Sequence, residues 1–307
     1  MSVFRLHIRP KGGLGNVRDS FAYCLREGVL GLGWQVDLLP ETALTWEAYE
    51  RIAAETHGTG ELSRVRYLHD KIKEKDLIWS RDSDGMYYLA KVEAPRRRIA
   101  DTGLAWEYYD TPAGRDADIV NIVRCRILPV ATADDVPGKI IACFRPSRSI
   151  QSIADETAVI YSQLLWNQLN KSDDYTVPNQ QQSDIFSFLD AETTEDLIFI
   201  YLQCEGWIVV PNSRKADTMR YEFLAIHRNT HARALVQVKT GNTPLDTESW
   251  SCFPETVFLF QAQGIYTGLP ATNVITLCPT TIKNFMETHL EILPRSVRRW
   301  IEFVRSH

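Results

Sequence analysis

Residues 220–241 read RYEFLAIHRNTHARALVQVKTG. Two runs rich in β-branched and aromatic residues, YEFLAIH and ALVQVK, flank the turn-forming pair Asn229-Thr230, which predicts a β-hairpin. Folding the arms antiparallel about that pair sets Glu222 opposite Lys239. Alternation along the second arm places Gln237 and Lys239 on one face and Val236 and Val238 on the other. One acid, one amide and one amine are therefore expected on a single patch of sheet.

That patch has a chemical use. A hard divalent cation takes oxygen ligands, often one or two from the protein, and keeps several waters. Glu222, the Gln237 side-chain oxygen and the Val238 carbonyl would hold Mg²⁺, or Mn²⁺ in its place. Lys239 would position the attacking water or help deprotonate it, so the reaction class is phosphodiester hydrolysis. The plain alternative is an exposed Glu–Lys pair across a hairpin, which contributes little.

Upstream, TTEDLIFIYLQCEGWIVVP (193–211) predicts a helix from about Thr194 to Cys204 and a strand at its end. Thr193 and Thr194 read as the N-cap and Glu195 as the first helical turn, with Leu197, Ile198, Tyr201 and Leu202 as an apolar stripe. Glu195 is then placed to join the hairpin cluster. Downstream, ETVFLFQAQGIYTG (255–268) reads as a helix, NVITLCP (273–279) as a strand, and TIKNFMETHLEIL (281–293) and RSVRRWIEFVR (295–305) as helices. The order αβββαβ predicts a central mixed sheet with helices on both faces.

This layout resembles the PD-(D/E)XK nuclease superfamily, in particular Mrr-like restriction endonucleases in which Gln replaces the acid of the last motif. The likeness spans roughly residues 185–285. It implies Glu195 as the helix glutamate, Glu222 as the first sheet acid, and Gln237 with Lys239 as the QxK motif. Asp217 in DTMRYEF is an alternative first acid. With one neutral ligand, a single metal ion is implied rather than two.

The amino-terminal part reads differently. VFRLHIRP, GVLGLGW, DLIWSRD, MYYLAKVEA and NIVRCRILPV predict short strands, with a helix at TWEAYERIAAET (45–56), and together suggest a small β-barrel over residues 1–130. DETAVIYSQLLWNQLN (155–170) predicts a helix, and 131–183 is read as a connection leading into a nuclease-like domain at 184–307. The spacing of Trp34, Trp79 and Tyr87 resembles the PUA-like and EVE-like barrels that read modified bases. It implies these rings as walls around an extruded base; tryptophans in this setting also commonly fill a core.

At 307 residues, with 44% hydrophobic and 24% charged residues, the chain has the composition of a two-domain globular protein. No apolar run is long enough for a bilayer, and MSVFRLHIRPKGG has no cleavable leader pattern, so the expected location is the cytoplasm. Six scattered cysteines carry neither zinc spacing nor a disulfide framework, and are expected to be small buried hydrophobes. Net charge is −5, yet basic residues cluster at 94–98, 144–148 and 295–305. Lys11, Arg145 and Arg148 are candidates for the DNA backbone. The expectation is a Mg²⁺-dependent endonuclease of microbial defence that cuts double-stranded DNA, selected by a modified base, as a homodimer. A binding protein with an inert nuclease-like domain and a nuclease indifferent to base modification are the alternatives.

Overall fold

The structure is a computed structural model and describes residues 1–37, 44–96, 104–145, 148–177, 184–215 and 220–306. The chain divides into two compact units: Met1–Val136 with Ile140–Pro178, and Pro137–Lys139 with Asn179–His307. The class is mixed α/β. No helix among the described residues is long and apolar enough to cross a membrane.

The first unit contains β1 (Val3–Leu6), α1 (Val17–Glu27), β2 (Val29–Leu32), α2 (Trp46–His57), α3 (Ser63–Lys71), β3 (Leu77–Arg81), β4 (Tyr87–Val92), β5 (Trp106–Tyr108), α4 (Pro112–Ala117) and β6 (Asn121–Ala131). After α5 (Gly138–Cys143) come β7 (Ile150–Ile153) and α6 (Glu156–Asn170). The strands run in the order β2-β6-β4-β3-β1-β7, with β5 on β6. This is a curled half-barrel where a small β-barrel was expected. The five expected strands are present. So are β7 and α6 from the segment read as a connection: β7 pairs antiparallel with β1, and Ser162 of α6 receives the Trp79 indole N–H at 2.9 Å. Ile140–Pro178 thus belongs to this unit.

Helix α1 was not expected from the sequence. Asn16 caps it by accepting from the Arg18 and Asp19 N–H groups, and Gly28, in the left-handed region at φ 65°, ends it. Both are ordinary helix-boundary chemistry. Its buried face, Phe21 and Cys24, joins a core that includes Leu30, Tyr49, Ile78 and Val123.

The second unit begins with α7 (Ala191–Cys204), then β8 (Trp207–Val209), β9 (Phe223–His227), β10 (Arg233–Lys239), β11 (Leu245–Asp246), β12 (Thr256–Gln261), β13 (Tyr266–Thr267), β14 (Val274–Leu277), α8 (Pro279–Thr288) and α9 (Arg295–Ser306). Five strands form one sheet in the order β14-β12-β10-β9-β8, with β10, β12 and β14 mutually parallel. Residues 255–268 are therefore not a helix. The run TVFLFQ is a strand buried on both faces, so it lacks the alternation that marks a half-buried strand. Phe258 and Phe260 pack against Trp207 and Phe186 at 5.1 and 5.3 Å, while Val257 and Leu259 join Trp250 in a second cluster. The crossover from β10 to β12 carries β11 and a single 3₁₀ turn in place of the helix in the order αβββαβ.

Candidate functional site

The hairpin forms as expected, and its register is now fixed. Arg233 pairs with Ile226 and Val236 with Phe223. Continued by one step, this ladder sets Glu222 beside Gln237, not opposite Lys239; Lys239 lies two residues farther along β10. At the end of the ladder the Glu222 N–H reaches the Val236 carbonyl at 2.9 Å, so two consecutive residues answer to one partner, as in a β-bulge.

The three side chains meet nonetheless. Gln237, 2% exposed, donates its Nε2–H to Glu222 Oε1 at 2.7 Å and to the Val238 carbonyl at 3.1 Å. Lys239 Nζ stands 3.8 Å from Glu222 Oε1, and its side chain is 47% exposed. No donor among the described residues reaches Gln237 Oε1. The amide nitrogen thus occupies the point on which the Glu222 carboxylate and the Val238 carbonyl converge. Turning the amide about its last torsion would bring its oxygen there, a choice that heavy-atom geometry alone does not fix. One carboxylate, one amide oxygen and one carbonyl then surround a single point, a donor set suited to Mg²⁺ or Mn²⁺ when water and phosphate complete the shell. Among the described residues no three His, Cys, Asp or Glu side chains form such a group, so an ion here depends on the amide and the carbonyl.

Adding charge tests this geometry without reference to activity. Gln237→Glu places two carboxylates side by side in a nearly closed site, where like charges oppose ionisation. In EDTA the variant is expected to lose about 2–4 kcal/mol of stability, as for an uncompensated buried charge. Mg²⁺ should return ~2.7 kcal/mol at a hundredfold excess over its dissociation constant. Melting curves with and without Mg²⁺ report this; identical curves in both conditions would count against a cation site.

Glu195 sits on α7, which packs on the other face of the sheet. Phe199 of this helix meets Phe223 at 5.8 Å, and Phe223 shares its face with Val236 rather than with Gln237. Glu195 is half-buried there. The helix also starts earlier than its sequence suggests: Asp190 is the N-cap, and Thr193 and Thr194 are buried within the first turns. Asp217 lies outside the described residues.

Asp190 accepts the Thr193 N–H at 2.7 Å and the Lys139 N–H at 3.2 Å, and Thr193 Oγ1 accepts the Gly138 N–H at 3.0 Å. Burial raises its carboxyl to about 6, against the pull of these donors. A carboxyl raised on folding binds its proton more tightly in the native state. Its contribution is therefore complete below the unfolded value near 4 and is lost as pH rises through 6, up to ~3 kcal/mol in all. Denaturant unfolding of wild type and Asp190→Asn from pH 4 to 7 checks this: the wild type should lose stability relative to the variant across that window.

One residue of the site escaped sequence reasoning. Gln261 pairs with Lys239 across β10 and β12 and is fully buried. It donates to the Gly241 and Thr243 carbonyls at 2.7 and 3.2 Å and accepts from the Gln263 and Ile265 N–H groups at 2.7 and 3.0 Å. The loop leaving Lys239 is held by this amide. A glutamine at the end of an apolar run was the available signal, masked by the helical reading of that run.

The candidate base-binding rings separate. Trp79 is fully buried and Tyr87 is 2% exposed, so both are core residues and not walls of an open pocket. Trp34 is half-buried and lines a cleft of about 340 Å³ together with Lys11. Its φ of 62° lies in the left-handed region, uncommon for a bulky residue. The Tyr49 hydroxyl, donating to the Trp34 carbonyl at 2.9 Å, helps hold it there. Lys11 is exposed, with its N–H on Asp118 Oδ2 at 2.6 Å. Arg145 and Arg148 are exposed. All six cysteines are free; Cys24, Cys125 and Cys143 are buried as expected, whereas Cys204, Cys252 and Cys278 are exposed.

Comparisons of the chain with protein-family models, with curated proteins and with solved structures return no match.

Proposed function

We propose that the chain is a metal-dependent endodeoxyribonuclease of PD-(D/E)XK type that hydrolyses phosphodiester bonds of double-stranded DNA and serves in restriction or antiphage defence. The observation that carries this reading is the convergence of Glu222, Gln237, the Val238 carbonyl and Lys239 at the end of β10. A divalent ion bound there, Mg²⁺ or Mn²⁺, would neutralise phosphate charge and acidify a water. With the amide turned, Glu222, Gln237 Oε1 and the Val238 carbonyl would hold the ion, and the half-exposed Lys239 ammonium donates to phosphoryl oxygens as negative charge develops on them. Glu195, on the helix packed against the other face of the sheet, is left out of the cluster. The helix-free crossover from β10 to β12 departs from the family layout, so the reading rests on the side-chain cluster more than on element order.

In this reading the amino-terminal unit selects the DNA, with Trp34 as the ring available to a modified base. Each chain carries one such site, so cutting both strands calls for a homodimer or two binding events.

Digestion of unmodified, methylated and hydroxymethylated plasmid with Mg²⁺, Mn²⁺ or EDTA tests the proposal. The expected outcome is cleavage that requires the ion and prefers a modified substrate. Cleavage of all three DNAs alike would leave the nuclease and remove the reader. No cleavage under any of these conditions would leave a nucleic-acid-binding protein with an inert domain.

A further inference from the structure

Two clefts of the amino-terminal unit adjoin. The one of about 340 Å³ carries Lys11 and Trp34, the other, of about 490 Å³, carries Arg148, and Arg64 and Ser149 line both. Ser149 is 5% exposed and its carbonyl accepts the His7 N–H at 2.7 Å, but no group among the described residues reaches its hydroxyl. Ser149 lines both clefts, so its hydroxyl is available to a group bound there. The Arg64 and Arg148 side chains are exposed and make no ion pair or hydrogen bond among the described residues.

Buried positive charge lies behind the cleft. Arg5 is fully buried, donates to the Arg148 carbonyl and to Gln151 Oε1, and leaves its Nε without a partner. These bonds hold the backbone from which Arg148 and Ser149 project. Burial lowers Arg5 to about 10. Burial, with Arg81, Arg5 and Arg9 adding to it, lowers His7 to about 4. The acids of the smaller cleft are Glu61 and Asp118, and Asp118 already accepts from Lys11.

We propose that the joined cleft is an anion site that takes a backbone phosphate of a polynucleotide, gripped by Arg64, Arg148 and the Ser149 hydroxyl. Phosphate oxygens match the forked donors of arginine and accept from a hydroxyl. The cleft is open and larger than an isolated ion needs, and Trp34 offers a ring face on which a base of the same strand can stack. The inference rests on the nuclease reading only in taking a polynucleotide as the bearer of the phosphate. Binding in EDTA, where no cut is made, separates the failure of one from the failure of the other.

The experiment is fluorescence anisotropy of the full chain with a short labelled DNA duplex in EDTA over a series of salt concentrations. Calorimetry with inorganic phosphate and with a mononucleotide, at matched ionic strength, runs beside it. Arg64→Ala and Arg148→Ala should each weaken duplex binding about tenfold and reduce the salt slope by about one. Ser149→Ala, which removes one oxygen from a packed site, should weaken binding several-fold with the slope unchanged. Phosphate or mononucleotide binding that is lost in these variants, without duplex binding, would keep the anion site and identify a free phosphate group as its ligand. Unchanged duplex affinity and slope in all three variants, with no heat from phosphate, would overturn the proposal. So would a wild type that binds none of the three probes.

Discussion

Lys239→Ala is expected to slow phosphodiester cleavage by about 10²–10⁴-fold, the range for removing one group that stabilises charge or transfers a proton in the transition state. Lys239 is the only one of the three clustered side chains with about half its surface open, 47% against 29% for Glu222 and 2% for Gln237. It can therefore reach a bound phosphate without rearranging the sheet. Its 3.8 Å separation from Glu222 is that of a loose ion pair, and such pairs contribute little to folding. Loss of the amine should accordingly leave the melting temperature nearly unchanged while activity collapses. Lys239→Arg separates positioning from mere charge, since the planar fork does not replace a compact ammonium. Single-turnover cleavage of a labelled duplex by the three proteins supplies the rates. A Lys239→Ala enzyme cutting as fast as wild type would remove Lys239 from the chemistry and the proposed site with it.

The cluster was legible because a hairpin obeys strong local rules. The Asn229-Thr230 turn and period-two alternation were enough to place Gln237 and Lys239 on one face. Counted evenly from that pair, Glu222 falls opposite Gln237, as the ladder has it, and the expectation of Lys239 was out of register by two residues; the irregularity at Glu222 depends on bonding that no spacing reveals. TVFLFQ failed for the opposite reason. A strand covered on both faces has no polar side, so its pattern resembles that of a buried helix, and Gln261 at its end was lost with it. The start of α7 moved from Thr193 to Asp190 because Asp and Thr are both good caps, and only burial of the threonines decides between them. In the amino-terminal unit the strands were readable while the roles of the tryptophans were not. Trp34 lies between Gly33 and Gln35 and Trp79 between Ile78 and Ser80, but what separates their roles is a left-handed backbone at one and a buried hydrogen bond at the other.

That distinction makes the second prediction. Trp79→Ala is expected to destabilise the protein by about 3–5 kcal/mol, the cost of emptying a large aromatic site in a packed core. Trp79 lies on β3, between Arg5 of β1 and Leu89 of β4 in the ladder, and is wholly shielded from solvent. Its indole N–H donates to Ser162 Oγ at 2.9 Å, and that hydroxyl in turn donates to the Ala158 carbonyl at 2.6 Å. The side chain therefore ties the sheet to α6 as well as filling space. Trp79→Phe keeps one ring but loses the N–H and two ring carbons, so its cost should fall to about 2 kcal/mol, a hydrogen bond plus a small cavity. A ring that walled a base pocket would behave otherwise, with either variant weakening recognition of modified DNA and leaving stability close to wild type. Denaturant unfolding followed by circular dichroism, paired with duplex binding at a temperature where the Ala variant remains folded, distinguishes the two. A Trp79→Ala protein as stable as wild type would show that the half-barrel does not depend on this ring and would reopen its assignment to recognition.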